Sequence, residues 1–146
     1  MSAVRYSRQR EAIKNYLLST TLHPTAETVY NNIREKFPNI SLGTVYRNLN
    51  FLADHNEALR LNCGDGLVHF DGYTDPHNHF FCHQCKLLSD IEMDSIEHID
   101  KIANAGFNGI IEGHTVIFYG ICHECIKKRH KYPEKKFKKH IDKKYL

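Results

Sequence analysis

Four cysteines stand in two Cys-x-x-Cys pairs, Cys82/Cys85 and Cys122/Cys125, and shortly before the first pair come Asp71, His77 and His79. Two thiolate pairs can close a tetrahedral zinc site, whereas imidazoles and carboxylates offer nitrogen and oxygen to a different metal. His77 and His79 are two apart, so on an extended segment both rings point to one side. Asp90 lies on the strand expected to return beside them. Without sulfur, that set suits Fe(II), Mn(II) or Zn(II), and affinity alone favours zinc or copper over iron. Thirty-six residues separate Cys85 from Cys122, more than a simple zinc ribbon contains, so the zinc is expected to join two ends of a folded unit.

Rival chemistries lack their partners. A thioredoxin-like site needs one Cys-x-x-Cys at the start of a helix in a βαβ pattern, and a zinc deaminase needs a His-x-Glu followed by Pro-Cys-x-x-Cys, whereas neither cysteine pair here follows a proline. A zinc-dependent hydrolase needs a base or nucleophile beside an open metal position, and no such motif accompanies the cluster. A purely structural zinc module would leave Asp71, His77, His79 and Asp90 without purpose.

The elements that must position these residues follow from apolar periodicity. Arg8 to Ser19 carries Ile13, Tyr16 and Leu17 on one stripe. Residues 26–37 follow a Thr25 N-cap and repeat apolar side chains at Ala26, Val29, Tyr30, Ile33 and Phe37 before Pro38. Ser41 caps a third helix whose buried stripe is Leu42, Val45, Leu49 and Leu52, ending near His55 and Asn56. Gly43, Arg47, Asn50 and Asp54 fall opposite that stripe, flanked by Thr44 and Tyr46. Two short apolar-rich runs, 58–61 and 67–70, are separated by Asn62, Cys63, Gly64, Asp65 and Gly66, which reads as a β-hairpin. Three helices and then a hairpin are the order of a winged helix, with its third helix in the major groove and its wing over the phosphates. Cys63 stands alone in the turn and is assigned no role.

Residues 72–76 read as a linker. Beyond it, strands are expected at 79–82 and 87–93, a helix from Asp94 or Ser95 to about Asn104, and strands at 107–112 and 115–121 around a Gly113-His114 turn. The fold class is α+β: a winged-helix unit over 1–71, a hinge at 72–76, an α+β unit over 77–126, and a basic tail over 127–146.

Each half is near the size at which an apolar core alone is marginal, so a structural metal or a dimer interface is expected to help. Ten of the twenty Lys and Arg residues, against two of the seventeen acidic ones, lie in the tail, leaving residues 1–126 at net −5. Such a tail is a solvated end or a source of non-specific phosphate contacts. The first ten residues do not resemble a signal peptide, and no apolar stretch approaches the roughly 18 to 20 residues of a membrane span. A soluble, cytoplasmic protein with reduced thiols is expected, with no membrane partner.

Taken together, the residues resemble the ferric uptake regulator (Fur) superfamily of bacterial metal-dependent repressors. Four motifs in order carry the likeness, over essentially residues 5–128: His23-Pro24-Thr25-Ala26-Glu27; Ser41-Leu42-Gly43-Thr44-Val45-Tyr46-Arg47-Asn48-Leu49; His77-Asn78-His79-Phe80-Phe81-Cys82-His83-Gln84-Cys85; and Tyr119-Gly120-Ile121-Cys122-His123-Glu124-Cys125. The resemblance implies a homodimer, not an enzyme, that binds an inverted-repeat operator in double-stranded DNA through the first unit and dimerises through the second. It implies structural Zn(II) on Cys82, Cys85, Cys122 and Cys125, and regulatory Fe(II) or Mn(II) on His23, Asp71, His77, His79 and Asp90. Ser41, Thr44, Tyr46, Arg47 and Asn50 are then the side chains offered to DNA.

Asp90 and Asp71 resemble the peroxide-sensing type of this family rather than the iron-sensing type, which typically carries glutamate at the position of Asp90. For that type, Fe(II) in the site reacts with hydrogen peroxide and oxidises His23 or His77, releasing metal and DNA, whereas Mn(II) represses without that sensitivity. An additional metal site of iron regulators is half present: Glu97 and His114 match, but Pro76 and Asn78 stand where His and Asp are expected. Because His23 is remote in sequence from the other ligands, a metal shared by all five would fix the angle between two units. In a dimer this sets the spacing of recognition helices against half-sites about 34 to 36 Å apart.

Overall fold

The computed structural model describes residues 4–94, 96 and 98–128. Three capped helices open the chain. In α1 (Arg8–Ser19) the Ser7 hydroxyl accepts from the Arg10 N–H and Ile13 and Leu17, one turn apart, are buried. In α2 (Ala26–Ile33) Thr25 caps the Thr28 N–H, and Ala26, Val29 and Ile33 face the core. This helix stops four residues short of the expected end. Pro38 disfavours helical geometry at Phe37, so residues 34–37 unwind through turns in which the Phe37 N–H still bonds the Ile33 carbonyl. In α3 (Leu42–Asp54) Ser41 caps the Thr44 N–H and Val45, Leu49 and Leu52 are buried. Asn56, with a left-handed φ of 58°, ends the helix while the Glu57 N–H returns to the Leu52 carbonyl.

A hairpin follows, β1 (Leu59–Leu61) antiparallel to β2 (His69–Asp71), pairing Leu59 with Asp71 and Leu61 with His69. Strand β2 is also tied to the loop before α2: Phe70 N–H donates to the Pro24 carbonyl at 2.9 Å, and His69 bridges Thr25. Phe70, Ile13, Val29, Val45 and Leu49 lie in one core with the other buried apolar residues of this half. Gly72 presses on α1: a Cβ there would lie 2.8 Å from the Leu17 carbonyl carbon, a contact only glycine avoids.

The second half is a three-stranded sheet ordered β4-β3-β5, from β3 (Asn78–Cys82), β4 (Leu88–Ile91) and β5 (Ile117–Gly120). β3 runs antiparallel to β4, with His79 opposite Asp90, and parallel to β5, with Cys82 opposite Gly120. Helix α4 (His98–Ala105) lies on the crossover between β4 and β5, and α5 (His123–Lys128) ends the described chain.

Three expectations change here. Residues 107–112 form no strand, because Asn104 clips both backbone groups of Ile111, donating to its carbonyl at 3.2 Å and accepting from its N–H at 3.0 Å. The tail is helical at Lys127 and Lys128, since α5 continues through them, and residues 129–146 lie outside the described residues. Helix α4 starts at His98, with Asp94 irregular; the alternative cap, Ser95, and Glu97 lie outside the described residues. Among the described residues no helix is long and apolar enough to cross a membrane.

Candidate metal centres

The cysteine cluster is built by strand pairing. Cys82 ends β3, and the chain reverses through a turn with Lys86 in the left-handed region, its N–H bonding the Cys82 carbonyl. Because Cys82 pairs with Gly120 across the parallel strands, Cys122 and then Cys125 at the start of α5 arrive beside it. All four sulfurs lie within 4.8 Å of one another, with Cys82–Cys125 at 3.8 Å and Cys85–Cys122 at 3.7 Å. A tetrahedron with metal–sulfur bonds of about 2.3 Å has edges of about 3.8 Å, so the cluster is already the size of a zinc-thiolate shell.

Its electrostatics call for a cation. Burial pushes the Cys82 thiol up, but the backbone N–H groups of Cys85, Cys122 and Gln84 outweigh it and bring it down to about 6. Burial, and then the neighbouring thiols, push Cys125 up to about 12. The Cys82 thiolate is stabilised while those of Cys85 and Cys125 are penalised, the pattern of sulfurs that ionise together only around a shared positive charge.

The second cluster draws on both halves of the chain. Asp71 ends β2, His79 lies on β3 with Asp90 opposite it on β4, and His77 precedes β3. His23 enters from the loop before α2, its backbone in the left-handed region at φ 48° and its side chain 2% exposed. Asp71 Oδ2 meets His77 Nε2 at 2.8 Å, His79 Nε2 at 3.1 Å and His23 Nδ1 at 3.5 Å. Asp90 Oδ1 meets His23 Nε2 at 2.7 Å, His77 Nε2 at 3.2 Å and His79 Nε2 at 3.4 Å.

Hydrogen bonding alone explains this poorly, because two carboxylate oxygens are shared among three imidazoles while His23 Nδ1 and His79 Nδ1 are buried with no hydrogen-bond partner among the described residues. Separations near 3 Å are instead the edges of a polyhedron with metal–ligand bonds of about 2.0 to 2.2 Å. Imidazoles ligate a metal in their neutral form, so the two carboxylates leave a charge that a divalent cation cancels. Burial raises the Asp71 carboxyl, but His79, the Tyr73 N–H, and the charges and contacts of His23 and His77 more than offset it, leaving it below the ordinary range. Burial lowers His77, yet the Asp75 carbonyl, Asp71 and Asp90 prevail and hold it above its ordinary value.

Of the five residues expected to face DNA, Ser41 is the N-cap of α3 and Thr44, Tyr46, Arg47 and Asn50 lie within it. Ser41, Tyr46, Arg47 and Asn50 are exposed and Thr44 half-buried. Arg47 Nη2 donates to Thr44 Oγ1 at 2.8 Å, Tyr46 OH to Glu27 at 2.9 Å, and Asn50 Oδ1 accepts from Arg60 Nε at 3.2 Å. Arg60, from β1, was not anticipated; a lone basic residue alternating with Leu59 and Leu61 was the only signal. His114, which matches one position of the additional metal site of iron regulators, pairs with Asp100 at 2.7 Å.

A model of the ferric uptake regulator family matches residues 1–119. The peroxide-responsive repressor PerR of Staphylococcus aureus is 36% identical over 124 residues, spanning 85% of this chain and 84% of that protein. Among solved structures, the Helicobacter pylori ferric uptake regulator, described as having three functional metal-binding sites, superposes with a TM-score of 0.72 at 25% identity over 84% of this chain and 83% of its own. The Campylobacter jejuni peroxide stress regulator gives 0.70 at 25% identity, over 80% of this chain and 88% of that one.

Proposed function

The chain belongs to the ferric uptake regulator family, and on that premise we propose that it is a metal-dependent, DNA-binding repressor that senses hydrogen peroxide. The observation that carries this reading is the meeting of His23 and Asp71, from the helical half, with His77, His79 and Asp90, from the sheet half, at 2.7 to 3.5 Å.

Residues 1–71 form the DNA-binding unit, 72–76 the hinge and 77–126 the dimerisation unit. Cys82, Cys85, Cys122 and Cys125 hold structural zinc. His23, Asp71, His77, His79 and Asp90 hold Fe(II) or Mn(II). When bound, Fe(II) supplies the electrons that reduce peroxide beside a ligand imidazole, chemistry that Mn(II) does not offer.

The protein's part is positional. Asp71 and Asp90 hold the rings of His23 and His77 with Nε2 turned inward, and the hairpin bonds at Pro24 and Thr25 fix His23 on the α2 side. With all five side chains drawn together, the first unit is held at one angle to the second; oxidation of His23 or His77 removes a donor and frees that angle. Metal and DNA therefore strengthen each other's binding by the same factor. Ser41, Thr44, Tyr46, Arg47 and Asn50 face the major groove. Exposed Ile99, Ile102, Phe107, Ile110, Phe118 and Tyr119, all in the second half, supply an apolar surface for a homodimer.

The test uses operator DNA selected from random duplexes by Mn(II)-loaded protein. Peroxide should abolish binding by the Fe(II) form, add one oxygen to the peptide of His23 or His77, and leave the Mn(II) form unaffected. Loss of binding with unmodified histidines and a Cys82–Cys85 disulfide would assign the response to thiols. No response with either metal would return the chain to the iron-responsive reading.

A further inference from the structure

Cys63, in the hairpin turn, lies beside Asp65 and His69, and one donor atom from each lies within 4.8 Å of the others. The turn is folded to achieve this. Gly64 and Gly66, at φ 86° and 81°, flank Asp65 in conformations that side-chain-bearing residues rarely adopt. Asp65 Oδ1 accepts from the Leu67 N–H at 3.0 Å, which leaves Oδ2 aimed at His69 Nε2, 2.8 Å away.

His69 is 7% exposed, and its other nitrogen, Nδ1, stands 2.9 Å from the carbonyl of His23. A carbonyl has no proton to give, so Nδ1 is the donor. Nε2 then faces Asp65 Oδ2 and the Cys63 sulfur, a point where a proton or a metal ion can be shared. A ring with one nitrogen donating to a backbone carbonyl and the other facing acidic and sulfur donors is the arrangement of a metal-ligating histidine. Cys63 brings its sulfur to the same cluster while packed against Leu61, Phe81 and Leu88.

We propose that Cys63, Asp65 and His69 form a separate metal site in the wing, suited to Zn(II). One thiolate, one carboxylate and one imidazole are a zinc ligand set with a fourth position left for water. The thiolate selects for zinc over Mn(II). Binding forms a metal–sulfur bond and sends the Cys63 thiol proton to water. Occupancy stiffens the wing and, through the His69 N–H on the His23 carbonyl, also holds the loop that delivers His23. The site shares no ligand with the two clusters above, so it stands or falls independently of the peroxide reading.

Full-length protein equilibrated with buffered Zn(II) is compared with Cys63→Ser and Asp65→Ala by metal counting, with circular dichroism to verify folding. Zinc on every other site cancels in the comparison. The parent should hold one more zinc per chain than either variant, and Zn(II) should protect Cys63 from alkylation by iodoacetamide. An equal zinc count in the parent and Cys63→Ser, or a Cys63 alkylation rate indifferent to Zn(II), would reduce the triad to an Asp65–His69 pair that only shapes the turn.

Discussion

Replacing Cys122 with Ser tests how unequally the two halves are held. Among the described residues the helical half buries eleven apolar residues in one cluster, from Ile13 to Phe70, whereas the cluster under the sheet contains only Phe81 and Leu88 together with Leu61 of β1. At about 1.5 to 3 kcal/mol per buried large apolar side chain, three such residues supply roughly 5 to 9 kcal/mol. Structural zinc contributes apparent binding energies of about 10 to 16 kcal/mol in small domains, more than that whole cluster. Cys122 joins the end of β5 to Cys82 and Cys85, its N–H donating to Cys82 Sγ at 3.3 Å and its sulfur 3.7 Å from that of Cys85. Serine shortens and hardens the donor and opens the shell, so most of that binding energy is lost. Amide hydrogen exchange is the assay that separates the halves. In Cys122→Ser, protection should collapse across Asn78–Cys82, Leu88–Ile91 and Ile117–Gly120 while α1 to α3 keep theirs, and the variant should purify without its zinc. Unchanged protection of β3 and β5 in a zinc-free variant would show that the sheet stands on packing alone.

Arg47→Ala should weaken operator binding by about 1 to 3 kcal/mol if the guanidinium reads a guanine edge, with metal content unchanged; equal affinity at fixed salt would move the reading surface off α3. Gly72→Ala should destabilise the helical half, because its Cβ would lie 2.8 Å from backbone that cannot rotate away, and a melting temperature equal to the parent's would mean that the contact yields freely. Regulatory-metal affinity should rise with pH through the raised His77 value, above the ordinary 6.5, since the metal must displace that proton; titrations at pH 6 and pH 8 giving one affinity would contradict it. In the metal-free chain the contributions run oppositely: that of His77 is full below 6.5 and fades as pH rises through its folded value, while that of Asp71 is present above 3.8 and fades as pH falls through its lowered one. Urea melts across pH 2 to 9 should show both flanks. Asp90→Glu should keep metal-dependent DNA binding but blunt the peroxide response, a claim withdrawn if its histidine oxidation matches the parent's.

The near-neighbour features were legible in the sequence because they are written in short-range chemistry. Thr25 and Ser41 cap α2 and α3 as their hydroxyls foretold, the 3.6-residue stripes select Val29, Ile33, Val45 and Leu49 for burial, and the two Cys-x-x-Cys pairs meet. His77 and His79 share a side because a strand repeats every two residues. Residues 107–112 read as a strand, yet Phe107 and Ile110 are exposed and Asn104 takes the backbone bonds of Ile111. Periodicity reports that a face is apolar, not what covers it.

His23 joined the ligand set only through the family likeness, since no spacing rule connects it with Asp90, 67 residues away. Tertiary structure made that connection through the Phe70–Pro24 bond and the left-handed turn at His23. Cys63, Asp65 and His69 were invisible as a set for the same reason: their convergence depends on two left-handed glycines and on the His23 carbonyl, which only the folded chain brings to His69. Ligand type and local geometry reside in the residues themselves, whereas bringing donors together across long loops is decided by the packing that offsets the entropy of closing them.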